Sequence, residues 1–434
     1  MTVRAAPVSQ RRVKPLFAVG LVAVPLLPAV PAYLYRATFS RLFGGEVEYA
    51  GDFLFFAEGT QRFLADPATL YAGSNFLYPP PSLLLFIPLV QLPVAWGYTV
   101  LALLNAVALA VSVGLFIHLY ESSSGERVDG WSRGALFAAA FVSAPFFQTV
   151  KMGQVNGLVL LAGLAFLTLL PRRPLIAAGV LTLGFWLKLY PLALAILGLK
   201  NVRRGRLALG FALGLIVFPI LLLPLFSAVQ YADYAGFVVS SGNLSNVAAM
   251  NQGLPAVLTR LTLPPEAFTT YTGHAIDFLP RVVTITVGLG IGLALVGAYV
   301  RGRMSLAAAG VGLLALLPAV SVLGWEHTYI LALPLVWWML LEAASAGRLV
   351  QAAAVFGALV FFVPKPPEPV VAALLAGAPR PLSDLLHARF LIVALGFLGT
   401  LLFLAWRRVP GIQPETTLSS ESVPYGTGVV DEQK

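Results

Sequence analysis

The side chains in this sequence that could do chemistry come in short polar islands within an otherwise apolar chain. The first island, "VEYAGDFLFFAEG" (residues 47–59), sets the carboxylate of Asp52 among aromatics. A carboxylate beside a bilayer is costly to hold and marks a place where something uses it. Asp52 could take a proton from a hydroxyl as a general base, bind a cation, or cap the helix that Phe53 onward is suited to form. Glu58 follows six residues later, off the same helical face, so the two are not a tight carboxylate pair. Glu46 and Glu48 read as solvated loop charges.

Four more islands follow. "LYPPPS" carries Tyr78, which could line a sugar subsite, while its prolines set up the start of the next helix. "KMGQVNG" brings Lys151, Gln154 and Asn156 within six residues. These side chains suit sugar hydroxyls or a phosphate, and equally suit helix capping at a membrane surface. "NQGLPAVLTRL" joins Asn251 and Gln252 to Arg260 in an amphipathic stretch that reads as an interfacial helix, a placement compatible with binding. "GWEHT" places Trp325, Glu326 and His327 at a helix junction. Between these, Lys188 interrupts an apolar span, where an unpaired ammonium is expensive. Snorkelling would explain it, but its central place in a proline-broken span favours a buried partner such as a phosphate.

The same inventory excludes other chemistry. There is no cysteine, and the four histidines (His118, His274, His327 and His387) show neither HExxH nor paired spacing, so no metal site is expected. No GxxxxGK[ST] occurs, which removes the case for a nucleotide-driven pump.

The elements that must position these islands are membrane helices. Of the 434 residues, 58% are hydrophobic and 11% charged, with mean hydropathy +0.85. Soluble domains carry about 25% charged residues. The net charge of +9 does not point to nucleic acid, because the basic residues sit in small clusters at the ends of apolar runs: Arg11, Arg12 and Lys14; Arg172 and Arg173; Arg203, Arg204 and Arg206; Arg301 and Arg303; Arg407 and Arg408. That is the pattern of the positive-inside rule. The apolar runs predict an all-α polytopic integral membrane protein with roughly ten to twelve transmembrane helices or half-helices. Leu16 to Leu34 reads as a retained first helix that leads to an external loop at about 35–80. A second external loop covers about 227–280. Pro88 and Pro93 divide the run from Ser82 to Tyr120 without fixing its crossings, and "ESSSGERVDGWSR" (121–133) does not settle its side. The span from Pro174 to Lys200 is too short for two full helices and predicts a re-entrant or broken pair. Residues 1–408 form one membrane domain, and 409–434 read as a flexible cytoplasmic tail. On this topology the polar islands share the outer face, as one site built from several external loops.

Taken in order, "GDFLFFAEG", "YPPPSLLLFIPLVQLP", "GQVNGLVLL", "KLYPLALAILGL", "NQGLPAVLTRL" and "WEHTYILALPL" resemble glycosyltransferase family 87 over Gly51 to Pro334. This family of the GT-C superfold includes polyprenol-phosphate-mannose-dependent mannosyltransferases. The resemblance implies a GT-C-type fold in the cell membrane, its active site facing outside. It implies a polyprenyl-phosphate-linked sugar donor, mannose being the favoured sugar, a glycolipid or glycan acceptor, and no metal or other cofactor. It also implies that Asp52 is the catalytic base of an inverting transfer. Lys188, His327 and Arg260 would then face the donor phosphate. Tyr78, Lys151, Gln154, Asn156, Asn251, Gln252, Trp325 and Glu326 would line the substrates. The family often has a histidine where this chain has Glu326, and tyrosine where it has Phe55 and Phe56, differences that bear on the sugar rather than the fold. The competing expectation is a transporter or flippase of a lipid-linked or small polar solute, with Asp52 and Lys188 as a gating pair. The long external loops and the lack of an inverted repeat weigh against it.

Overall fold

The computed structural model describes residues 10–11, 51–71, 76–201, 203–248, 250–263, 273–343, 348–362 and 388–407. The expected first helix, the loop before Gly51 with Glu46 and Glu48, and the tail from 409 onward lie outside the described residues. The described chain is an all-α polytopic membrane protein with two small strand pairings. β1 (Gln10–Arg11) pairs in parallel with β2 (Arg127–Val128). β3 (Leu244–Asn246) pairs antiparallel with β4 (Gly273–Ala275).

α1 (Gly51–Ala65) is not a spanning helix. One face buries Phe53, Phe56, Ala57, Thr60 and Phe63, while Glu58 and Arg62 pair at 2.6 Å on the exposed face. α2 (Leu83–Val90) ends before Pro93, and α3 (Val94–Ser124) runs unbroken for 31 residues. That resolves the run the sequence left open into one short helix and one long span. α4 (Gly130–Val142) and α5 (Ala144–Met152) are together long and apolar enough for one membrane crossing, bent by 43° between them. The bend falls at Ser143, where Pro145 lacks the N–H needed to carry one helix through. α6 (Asn156–Leu169) and α7 (Pro174–Leu187) are shorter, and a 3₁₀ helix over Tyr190–Lys200 completes the broken pair expected there. At 14 residues, α7 is about 21 Å long, too short to cross a hydrocarbon layer of about 30 Å alone.

α8 (Arg204–Leu221) spans, with a π turn at Leu213–Val217 whose Gly214 carbonyl accepts from the Trp186 indole N–H at 2.8 Å. The loop after it holds α9 (Ala228–Ser241), the β3–β4 hairpin and α10 (Leu254–Arg260). α10 differs from the interfacial helix expected from its pattern: Leu254, Pro255, Ala256, Thr259 and Arg260 are all buried. α11 (Phe278–Val300) returns, and α12 (Leu306–Val320) leads to a 3₁₀ turn over Glu326–Ala332 that continues as α13 (Leu333–Ala343). α14 (Arg348–Phe362) and the spanning α15 (Arg389–Arg407) complete the set.

α12 and α13 are apolar around most of their circumference and form the centre of the core, as expected for helices with no polar face. Small residues let their neighbours approach. Gly310 faces Leu167 of α6, and Gly312 faces Leu295 of α11 and Leu401 of α15. The two ends of the bundle differ. Tyr98, near the start of α3, donates to the Val150 carbonyl at 2.7 Å beside the polar islands, and Tyr120, near its end, donates to Glu342 of α13 at 3.3 Å. The basic ends of the helices lie away from the islands. Lys200 donates to the Tyr299 carbonyl at 3.3 Å, Arg203 donates to the Arg172 carbonyl at 3.1 Å, and Arg303 lies over the Trp406 ring.

Candidate active site

α5 ends in a left-handed glycine, Gly153 (φ 69°), and the Gln154 N–H turns back to the Thr149 carbonyl at 2.9 Å. This αL stop is the commonest way to end a helix. Here it also lets the backbone come against Phe53 of α1, because a Cβ on Gly153 would lie 2.5 Å from the Phe53 Cβ. Gln154 is thereby delivered to Asp52. Its amide Nε2 donates to Asp52 Oδ2 at 2.5 Å, and its Oε1 accepts from the Tyr78 hydroxyl at 2.5 Å. A carboxylate only accepts, so the amide can face it only with its N–H₂.

Asp52 lies within α1, in the first turn of its described residues, rather than outside it as a cap. Its position still favours the anion through the helix dipole. Among the described residues, only Gln154 donates to it, and Oδ1 accepts from none. The carboxyl is half-buried. Burial pushes its pKa above the usual carboxylate range, while the Gln154 hydrogen bond and the Lys188 charge pull the other way.

Lys188 stands at the break between α7 and the 3₁₀ helix, in extended conformation (φ −154°, ψ 136°). Pro191, which has no N–H to give, prevents α7 from running on. The break turns the ammonium toward the site, 5.4 Å from the Tyr78 ring centroid and 6.0 Å from that of Tyr190. It lies within electrostatic range of both Asp52 and His327. The His327 carbonyl accepts from Asn156 Nδ2 and from Thr149 Oγ1, each at 3.1 Å, which fixes the "WEHT" turn against the "GQVNG" loop. Asp52, Tyr78, Gln154, Asn156, Lys188 and His327 are thus brought together from five separate segments. Lys151 lies in the last turn of α5, half-buried.

The other expected residues form an adjoining group. Gln252 Nε2 donates to Glu326 at 3.0 Å, and its Oε1 accepts from the Phe390 N–H at 2.8 Å. Asn251 bridges to Trp325 through the backbone and donates to the Asn246 and Val322 carbonyls at 2.7 and 2.8 Å. Arg260 is buried, and its Nη1 donates to the carbonyls of Ala248 and Asn251 at 3.0 and 2.7 Å. Its guanidinium therefore shapes the 247–251 loop. The two groups meet at Glu326–His327.

Sequence reasoning missed Asn105, Tyr190 and Arg389. Asn105 is buried in the middle of α3; its Nδ2 donates to the Gln154 carbonyl at 2.8 Å and its Oδ1 accepts from the Gly157 N–H at 2.9 Å. The available signal was an amide inside an apolar span. Arg389, at the start of α15, is within electrostatic range of Glu326.

A model of glycosyltransferase family 87 matches residues 76–323, more than half of the chain. The chain belongs to glycosyltransferase family 87. No curated protein was found to match it. As a member of this family it is a membrane glycosyltransferase, and the matched residues include Tyr78, Lys151, Gln154, Asn156, Lys188, Asn251, Gln252 and Arg260. Asp52 precedes the match, and Trp325, Glu326 and His327 follow it. Geometry alone joins these flanking residues to the matched ones.

Proposed function

We propose that this glycosyltransferase transfers a sugar, mannose by its family resemblance, from a polyprenyl-phosphate donor to a hydroxyl of a glycolipid or glycan acceptor, with inversion, at the outer face of the cell membrane. The observation that carries the reading is a carboxylate with one oxygen that accepts from no other described residue, in electrostatic range of a recessed ammonium, at the end of the bundle away from the basic clusters. By the positive-inside rule that end faces out.

In the reaction, Asp52 Oδ1 accepts the proton of the acceptor hydroxyl as the acceptor oxygen bonds to the anomeric carbon. The bond from that carbon to the phosphate oxygen breaks, and its electron pair leaves with the polyprenyl phosphate. One carboxylate suffices for such a displacement, and a base of this kind contributes about 10²–10⁴-fold. Lys188 and His327 face the leaving phosphate, where a fixed cation stabilises the developing charge. Arg260 acts on that site through the loop it holds. Tyr78, Asn156 and Lys151 are assigned to the acceptor side, and Trp325 and Glu326 to the substrates, with Asn251 and Gln252 holding the segments behind them. The chemistry needs no metal or other cofactor.

The test is to supply the purified protein with a radiolabelled polyprenyl-phosphate sugar and membrane acceptors, and to determine the anomeric configuration of the product. Inverted product with release of polyprenyl phosphate is expected. Retained configuration would overturn the single-carboxylate mechanism. Movement of lipid or solute in liposomes without transfer would establish a transporter instead.

A further inference from the structure

The geometry points to Gln154 as a positioning residue for the base, held by Tyr78 and Asn105 so that it occupies one carboxylate oxygen of Asp52 and leaves the other to the acceptor. This rests on the reading of Asp52 as the base. It moves Gln154 from substrate contact to base alignment.

Every polar group of the Gln154 side chain is engaged within the protein: Nε2 with Asp52 and Oε1 with the Tyr78 hydroxyl. The residue is buried, and so is Tyr78. Its backbone is fixed as well, with the N–H on Thr149 and the carbonyl on Asn105. Asn105 in turn grips α3 through the Leu101 carbonyl at 2.9 Å and the start of α6 through the Gly157 N–H. Gly157 has no Cβ, and one added there would meet the Asn105 side chain at 2.7 Å, so the two segments are in close contact. A rigid span is thereby connected through two amides to a carboxylate on a short surface helix. Such supporting hydrogen bonds are how a reacting group is held within the narrow tolerance that catalysis requires.

The arrangement also biases the proton. With Oδ2 accepting from an N–H, the proton taken from the acceptor goes to Oδ1, on the open side. The hydrogen bond stabilises the carboxylate against its burial. Among the described residues, the other ionisable groups around Asp52 are Tyr78 and Lys188, with Tyr190 and Tyr234 beside Tyr78, His327 beyond Lys188 and Lys151 on α5. Tyr98 of α3 packs on Phe53 and turns its hydroxyl to Val150.

The experiment is the pH–rate profile of Gln154→Leu, beside Tyr78→Phe, which removes the hydroxyl that orients the amide but keeps the ring against Lys188. Gln154→Leu is expected to lower kcat by up to about 100-fold, to leave the donor KM within twofold, and to move the acid limb to higher pH. Tyr78→Phe should move the limb the same way by less. An acid limb that stays in place in both variants, whatever the loss of rate, overturns the inference and leaves a structural role. A donor KM that rises while kcat holds also overturns it, in favour of substrate binding. Asp52→Asn separates the two readings. If it keeps full transfer, the base assignment fails. If it is inactive while Gln154→Leu leaves the limb in place, only the positioning role fails.

Discussion

Gly153→Ala is a small change that should act at a distance on the reaction. An alanine at φ 69° costs about 1 kcal/mol in backbone strain. The added Cβ would lie 2.5 Å from the Phe53 Cβ, whereas carbon atoms rest at about 3.5–4.0 Å. Relief therefore requires roughly 1 Å of separation between the α5–α6 loop and the first turn of α1. Those are the segments that carry Gln154 and Asp52. Their hydrogen bond, now 2.5 Å, would stretch to the limit at which it ceases to be one. A displacement of that size can cost about 100-fold in rate, or about 2.7 kcal/mol in the barrier. Transfer kinetics and thermal unfolding of the variant are the assay. The expected result is a large loss of kcat with a lowering of the thermal midpoint by only a few degrees. Gly153→Asn separates the causes. Asparagine tolerates the left-handed region but keeps the offending Cβ, so it should not restore activity. Full activity in either variant would refute the close approach as the device that aligns the base.

Three further outcomes follow from the same site. Because burial raises the Asp52 pKa, the base protonates, and activity falls, at a higher pH than an ordinary carboxylate would show; rate held to the usual carboxylate range on acidification would contradict this. Lys188→Ala should raise the donor KM by about tenfold or more, as the loss of a charge-assisted contact to phosphate predicts, and unchanged donor binding would remove it from that role. Arg260→Met should cost about 2–3 kcal/mol of stability, read as a lower thermal midpoint, because it strips a charged donor from two loop carbonyls; a raised donor KM at unchanged stability would instead place it on the phosphate directly.

The residues that announced themselves in the sequence did so by being polar where polarity is expensive. Asp52 and Lys188 were legible for that reason, and Pro93 and the proline of "LKLYP" marked where helices stop, whereas Pro88 sits inside α2 without dividing it. The pattern at 254–260 misled, because an amphipathic stretch looks the same whether its polar face meets water or, as Arg260 does, a set of buried carbonyls. Asn105 was an amide in an apolar run, and its partner lies 49 residues away in the chain, a pairing that no local period encodes. The same holds for Gln252, whose contacts with Glu326 and Phe390 cross 74 and 138 residues. Local periodicity reports which face a residue presents, and only the packed bundle decides what meets it.

The most direct measurement of the central claim is the single-turnover rate of Asp52→Asn against wild type, with donor bound to saturation and acceptor added. The account predicts a fall of about 10²–10⁴-fold with donor affinity unchanged. Transfer by the asparagine variant at the wild-type rate would contradict it.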